Sequence, residues 1–260
     1  MTKNVNIMYL DAFTYRERLA DPSLVMFVPV GAIEQHGPAM PLGVDAWLST
    51  KMAELVAEEV GGLVGPAIAL GYKSQQRSGG GNHLVGSFGL DAETVINTAR
   101  GVVRELHRHG ARQIAFINGH YENYQFLFEG ADLALRDIRA FTEDLPQIML
   151  LSYWDFVPAD VIERLYPEGF PGWDVEHGGV METSLMMEYF PEYVHADKIV
   201  DQPAAQLPLY DLLPVDPSLT PDSGCLSSGR PASAEKGRIL AGSIVEGMAG
   251  AVRERFQTLK

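Results

Sequence analysis

Metal-competent side chains crowd two short segments of this 260-residue chain. The first, VPVGAIEQHGPAMPLGVDA over residues 28–46, carries Glu34, His36 and Asp45. The second, INGHYEN, carries His120 and Glu122. Glu34 and His36 are two positions apart, as are His120 and Glu122, so in extended backbone each pair projects to one side. Two imidazoles and three carboxylates with no thiolate suit zinc or manganese without choosing between them. A single zinc site usually takes three protein ligands and an open position, so this set is an oversupply for one ion. It suits two ions that share a carboxylate, and Asp45, set apart from both pairs, is the natural bridge. A bound ion pair would make a shared water acidic enough to act as hydroxide at neutral pH and would polarise a carbonyl oxygen. Either pair alone is commonly an ordinary polar loop. Two such pairs together with Asp45 point to metal and leave the substrate open.

Hydrolysis also needs a proton carrier and a shaped pocket. His177, in the EHGG turn ahead of a helical pattern, is the leading carrier because imidazole titrates near working pH. A structural loop histidine is the competing reading. Trp154 and Trp173 follow segments that should reach the same rim, where indole faces suit a flat, delocalised or cationic substrate. Glu176 and Glu182 either orient the ligands or are an ordinary helix start and helix face. Arg77 and His83 read as ordinary loop residues.

These side chains need elements to hold them, and apolar runs alternating with helical periodicity point to parallel βα units. Strands are expected over 24–30, 63–68, 113–118 and 148–153. Helices are expected over 45–60, stopped by Gly61-Gly62, over 91–109 with Asp91 as cap and Gly110 as terminator, over 123–139, over 180–190 and over 234–256. Both ligand pairs then follow strands of one parallel sheet, and loops at the carboxyl ends of such strands share a crevice. His107 and His109 fall in a last helical turn, where solvent-facing structural roles are expected. The loop GYKSQQRSGGGNHLVGS lacks the spacing of a phosphate cradle and is expected to be a lid or pocket wall. Residues 202–231 hold six prolines and little periodicity, as an extended arm over the body or against a neighbouring subunit would. No linker divides the chain, so one domain spanning residues 1–260 is expected, with the Pro-rich arm at about 202–232.

Hydrophobic residues make up 46% of the sequence, enough for a sizeable core, and the net charge is −14. That charge argues against nucleic acid and anionic membranes as partners. Cys225 is the only cysteine, which excludes an intrachain disulfide and a thiolate-rich zinc site. Without a signal-peptide h-region or a run of membrane-spanning length, a cytoplasmic location is expected.

The segments EQHGPAMPLGVD and NGHYEN, with GYKSQQRSGGGNH, LSYWDF, LYPEGF and GWDVEHGGVMETSLM, resemble the creatininase (creatinine amidohydrolase) family. The likeness runs from about residue 24 to 190 and resumes through VDPSLTP and the closing helix. It implies a three-layer αβα sandwich around a mostly parallel sheet, usually assembled as a hexamer. It also implies two divalent ions per subunit, with Glu34 and His120 holding one, usually manganese or zinc, His36 and Glu122 holding a zinc, and Asp45 bridging. Ser78, Tyr121, Trp154, Trp173, Asp174 and His177 would meet the substrate, with Trp173 on a closing flap and Glu122 joining His177 in catalysis. The implied reaction opens a cyclic amide, creatinine to creatine. Family alternatives are hydrolysis of a cyclic polyol ketone or of a formylamino-pyrimidine; a metal-binding assembly protein without catalysis is the remaining rival. One departure is Ala39-Met40, where many members carry His-Leu, and a changed pocket floor is the expected consequence.

Overall fold

The computed structural model describes residues 4–256; residues 1–3 and 257–260, at the ends of the expected domain, lie outside that range. Four parallel strands form one sheet in the order β2-β1-β3-β4: β1 (Val25–Val30), β2 (Leu63–Val64), β3 (Gln113–Asn118) and β4 (Gln147–Ser152). β1 and β3 pair along their full lengths, from Val25 opposite Gln113 to Val30 opposite Asn118, and every residue of both is buried. Strands covered on both faces need continuous apolar runs, as VMFVPV and QIAFIN provide.

Alternation sends neighbouring side chains to opposite faces. Val25, Phe27, Ala115 and Ile117 enter one core, packed beneath α2 (Val44–Val60), α6 (Ala159–Leu165), α7 (Val180–Tyr189) and α8 (Ala234–Phe256). Met26, Val28, Ile114 and Phe116 enter the other, beneath α1 (Ala12–Leu19), α4 (Ala92–Arg108) and α5 (Tyr124–Arg139). The result is an α/β three-layer sandwich. Among the described residues, no helix is long and apolar enough to cross a membrane.

Three local differences have physical causes. The second strand is shorter than its apolar run: Pro66 has no N–H to donate, and regular pairing stops at Val64. Ile68 then rejoins the sheet through one bridge to Val30. Asp91 makes no side-chain capping bond to α4 and instead pairs with Lys73. His109 is exposed as expected, whereas His107 is half-buried, with its Nδ1 enclosed and unpartnered. The SQQRSGGG loop contains one short helix, α3 (Gln76–Gly79).

Residues 202–231 contain no strand or α-helix, only a 3-10 turn at Pro217–Leu219. Much of this arm lies against its own chain. Gln76 Nε2 donates to Asp216 O and Thr220 Oγ1, while Leu226 N–H donates to His177 O at 2.9 Å. Its outermost stretch is apolar and exposed, with Leu209 92% and Leu213 85% accessible.

Candidate metal centre

The carboxyl ends of β1 and β3 lie side by side, and the N-terminus of α2 closes over both. This approach needs glycine twice. A Cβ on Gly31 would sit 2.3 Å from Ala46 N, and one on Gly119 would sit 2.5 Å from Asp45 O. With neither present, the first turn of α2 drops onto the strand ends and carries Asp45 to the floor of the crevice, where the positive end of the helix dipole favours a carboxylate.

Each histidine is aligned by a main-chain carbonyl. His36 Nδ1 lies 3.1 Å from Glu34 O, and His120 Nε2 lies 3.0 Å from Tyr72 O. A carbonyl only accepts, so these nitrogens carry the protons, and His36 Nε2 and His120 Nδ1 are left to act as ligands. The freed nitrogens face different oxygens of one carboxylate: His36 Nε2 is 3.0 Å from Asp45 Oδ1, and His120 Nδ1 is 3.0 Å from Asp45 Oδ2. Glu34 Oε2 is 3.1 Å from His120 Nδ1, and Glu182 Oε1 is 3.4 Å from His36 Nε2. Two of the three compact groups among the described residues, Glu34/Asp45/His120 and His36/Asp45/Glu182, share Asp45, and the third is Glu34/His36/His177.

The donor set fits metal ions. Glu34 Oε1, His36 Nε2 and Asp45 Oδ2 are buried without an aligned hydrogen-bond partner. Orphaned buried polar atoms are costly, and here they point into shared space instead of along bonds to one another. Charge leads to the same conclusion. Burial opposes a proton on either imidazole, yet Glu182 and Asp45 raise His36, and Glu122 and Glu34 raise His120, well above the ordinary imidazole range. Burial also opposes ionisation of Asp45 and Glu34, but the adjacent imidazoles hold both carboxyls below their usual values. A cluster this acidic requires positive charge, supplied by protons or by cations.

Glu122 occupies a different place from the other expected ligands. Its Oε1 accepts from Ser78 Oγ at 2.6 Å and Gln75 N–H at 2.7 Å, while its Oε2 lies 3.3 Å from His120 Nε2, the nitrogen facing away from the centre. Burial raises its carboxyl pKa. The carboxylate grouped with His36 and Asp45 is Glu182. Glu182 is in the first turn of α7, where its Oε2 accepts from Gly178 N–H at 2.7 Å. A glutamate at the third position of a helix commonly reaches back to an unpaired N–H in this way, and that position was the local signal available. Its second oxygen meets His36 only because α7 abuts the loop after β1.

Above the centre lies a cavity of about 260 Å³, lined in part by Ser78, Tyr121, Trp154, Trp173, Asp174 and His177. All of the side chains expected to meet a substrate thus share one wall system. Tyr153 and Asp155, which the sequence did not single out, line it as well, and among the described residues no Lys or Arg does. Tyr121 and Trp154 stand with ring centroids 6.5 Å apart, and Trp173 is 42% exposed on the 3-10 turn Trp173–Val175. The His177 ring is buried 4.3 Å from that of His36, and its Nε2 lies 2.8 Å from Gln35 O. Glu176 accepts from Met181 N–H, and burial pushes its carboxyl up to about 7. Arg77 and His83 do not line the cavity. Nor do Ala39 and Met40, which are packed in the hydrophobic core.

The creatinine amidohydrolase family profile matches residues 10–252. The chain belongs to the creatininase family. It is 51% identical to the creatinine amidohydrolase of Pseudomonas putida, over 98% of this chain and 99% of that one. Solved creatininase structures superpose on it with TM-scores of 0.95 at 50% identity, over 98% of this chain and 99% of theirs; they include a manganese form and a Zn–Zn-type variant. A creatininase variant complexed with creatine superposes with a TM-score of 0.94, again at 50% identity and with the same coverage. Family membership and the buried carboxylate–imidazole cluster together make this chain a metal-dependent hydrolase.

Proposed function

We propose that this protein hydrolyses creatinine to creatine at a centre of two divalent ions, zinc or manganese, bridged by Asp45. The observation that carries this reading is the Asp45 carboxylate, whose oxygens each lie 3.0 Å from the free nitrogen of a different histidine beneath a cavity of matching character. In this reading Glu34 and His120 complete one ligand set, and His36 and Glu182 complete the other. Glu122 stands behind His120, its carboxylate 3.3 Å from Nε2, the nitrogen whose proton goes to Tyr72 O. Bound there, the ions would supply a water acidic enough to attack at neutral pH and counter-charge for the carbonyl oxygen.

The remaining work falls to the chain's own groups. A flat ring would lie between Trp154 and Trp173, which exclude water, with Ser78, Tyr121 and Asp174 orienting its polar edge. A wall that bears carboxylates and, among the described residues, no Lys or Arg favours a neutral or amidine-like cationic ring over an anionic one. With its Nε2–H given to Gln35 O, His177 has only Nδ1 left to accept the proton from the attacking water and pass it to the departing ring nitrogen. The exposed apolar tip of the arm supports self-assembly, and a hexamer in the cytoplasm is the proposed working form.

The test is direct. Protein loaded with zinc or manganese should form creatine from creatinine, and His177→Ala should retain its metal while losing at least about a hundredfold in kcat. Near-normal turnover in His177→Ala would remove the proton-carrier role, and absence of creatine from the loaded parent would remove the proposed reaction.

A further inference from the structure

Gln35 lies between two proposed ligands, Glu34 and His36, yet it neither belongs to a ligand group nor lines the cavity. Its side-chain amide is committed at both ends. Oε1 accepts from Gly37 N–H at 3.1 Å, and Nε2 donates to Ser223 O at 3.1 Å. Those partners fix the amide's orientation, because the reversed amide would set NH2 against an N–H and oxygen against a carbonyl. The plane of the amide lies against Gly224, where a Cβ would fall 1.9 Å from Gln35 Oε1; Gly224 also has φ +78°, a conformation glycine adopts without strain.

The same arm segment also grips the main chain of His177, which does line the cavity. Leu226 N–H donates to His177 O at 2.9 Å, and Cys225 Sγ fills the space over Gly37 and Gly178, within 2.8 Å of where a Cβ on either would lie. Residues 223–226 therefore bind the side chain of Gln35 and the main chain of His177 at once. Between those two anchors runs the 2.8 Å contact from His177 Nε2 to Gln35 O.

We propose that Gln35 and the arm segment 223–226 form a clamp that sets the tautomer of His177, with Gln35 as a positioning residue acting through its own main-chain carbonyl. Because that carbonyl can only accept, the clamp keeps the proton on Nε2 and leaves Nδ1 as the ring's free acceptor, in a residue whose ring offers a nitrogen within 4.8 Å of ligand atoms of Glu34 and His36. Loss of the side-chain anchor lets the carbonyl swing and frees the ring to take up the other tautomer or orientation. The Pro-rich arm thereby acts in cis on the active site. This inference rests on the proposed proton-carrier role for its catalytic meaning, but not for its structural content.

Two variants approach the clamp from opposite sides. Gln35→Ala removes the amide, and Gly224→Ala drives a methyl group into it. The full-length zinc-loaded protein, labelled with 15N-histidine, would be examined by magic-angle-spinning NMR, with the His177 signals identified by their loss in His177→Ala. Parent protein should show His177 protonated at Nε2 alone. Both variants should show a mixed or reversed pattern, bind zinc as the parent does, keep KM within about twofold and lose roughly 10–100-fold in kcat, the size of effect typical of outer contacts that orient a reacting group. The clamp is overturned by an Nδ1-protonated His177 in the parent, by an unchanged tautomer in Gln35→Ala, or by activity falling only in step with lost zinc. If His177→Ala proves active, the proton-carrier role fails by itself, and the tautomer comparison still decides the clamp.

Discussion

At Asp45 the two carboxylate oxygens lie 3.0 Å from different histidines, so truncating this one side chain removes a ligand from both groups. Asp45→Ala should purify with less than about a tenth of the parent's bound metal by elemental analysis, and no activity should return on adding zinc or manganese. A one-metal product would show instead that the bridge is dispensable. Glu176 offers a test of sign. Burial holds its carboxyl at about 7 in the folded chain, so the folded state keeps a proton that the unfolded chain releases near the ordinary glutamate value of 4.5. Its contribution is therefore complete below about pH 4.5 and declines as pH rises to about 7, by an amount on the order of 3 kcal/mol. Glu176→Gln retains the acceptor for Met181 N–H and removes the titration. Its thermal midpoint should exceed the parent's at pH 8 and match it at pH 5, and equal midpoints at both would refute the assignment.

Elements matter here chiefly through how closely their ends approach. α2 packs onto β1 and β3 through Gly31 and Gly119, and Asp45 reaches the centre because nothing separates the helix terminus from the strand ends. Gly119→Ala would place a methyl group 2.5 Å from Asp45 O and 2.9 Å from Ser49 Cβ, forcing the helix outward. Overpacking of this kind costs about 1–3 kcal/mol, and a carboxylate displaced by even a fraction of an ångström loses the geometry of both ligand groups. The expected outcome is a folded protein by circular dichroism with a lowered melting temperature and weakened metal retention against a chelator. Full metal retention at a normal melting temperature would mean that α2 tolerates the shift. α7 plays a comparable part: its first turn brings Glu182 to His36 on one side and is stitched to the EHGG turn through Gly178 N–H on the other.

For the whole molecule, the arm joins active-site geometry to whatever the exposed tip meets. Between the Gln76–Asp216 contact and the Gln202–Cys225 contact, the chain runs out to Leu209, Tyr210, Leu212 and Leu213, exposed apolar side chains interrupted by Asp211. If this tip closes the proposed hexamer, Leu209→Asp combined with Leu213→Asp should shift the mass measured by light scattering toward smaller assemblies. A parent that is monomeric, or an unchanged mass in the double variant, would place assembly elsewhere or exclude it. Because the arm's inner part holds the Gln35–His177 contact, dissociation at the tip should also lower kcat more than it raises KM.

Much of this architecture was legible from local pattern. Continuous apolar runs marked Val25–Val30 and Gln113–Asn118 as doubly covered strands, and period-3.6 stripes marked the helices from Val44, Ala92, Tyr124 and Ala234. The motifs EQH and HYE marked the two loops where carboxylates and imidazoles gather, but the 3-10 turn Tyr121–Asn123 carries Glu122 behind His120 instead of along an extended backbone. What Glu122 faces was not legible, nor was the pairing of Glu182 with His36, the role of Gln35, or the return of residues 223–226 to the EHGG turn. Those contacts join segments up to 188 residues apart, as from Gln35 to Ser223. Their distances are set by how helices seat on the sheet, and no periodicity within one segment encodes how closely another will approach. The sequence by itself determined where carboxylates and imidazoles concentrate and which layers would enclose them. Only the tertiary structure decided which carboxylate stands beside which imidazole, because that choice rests on a few ångströms of packing between distant elements.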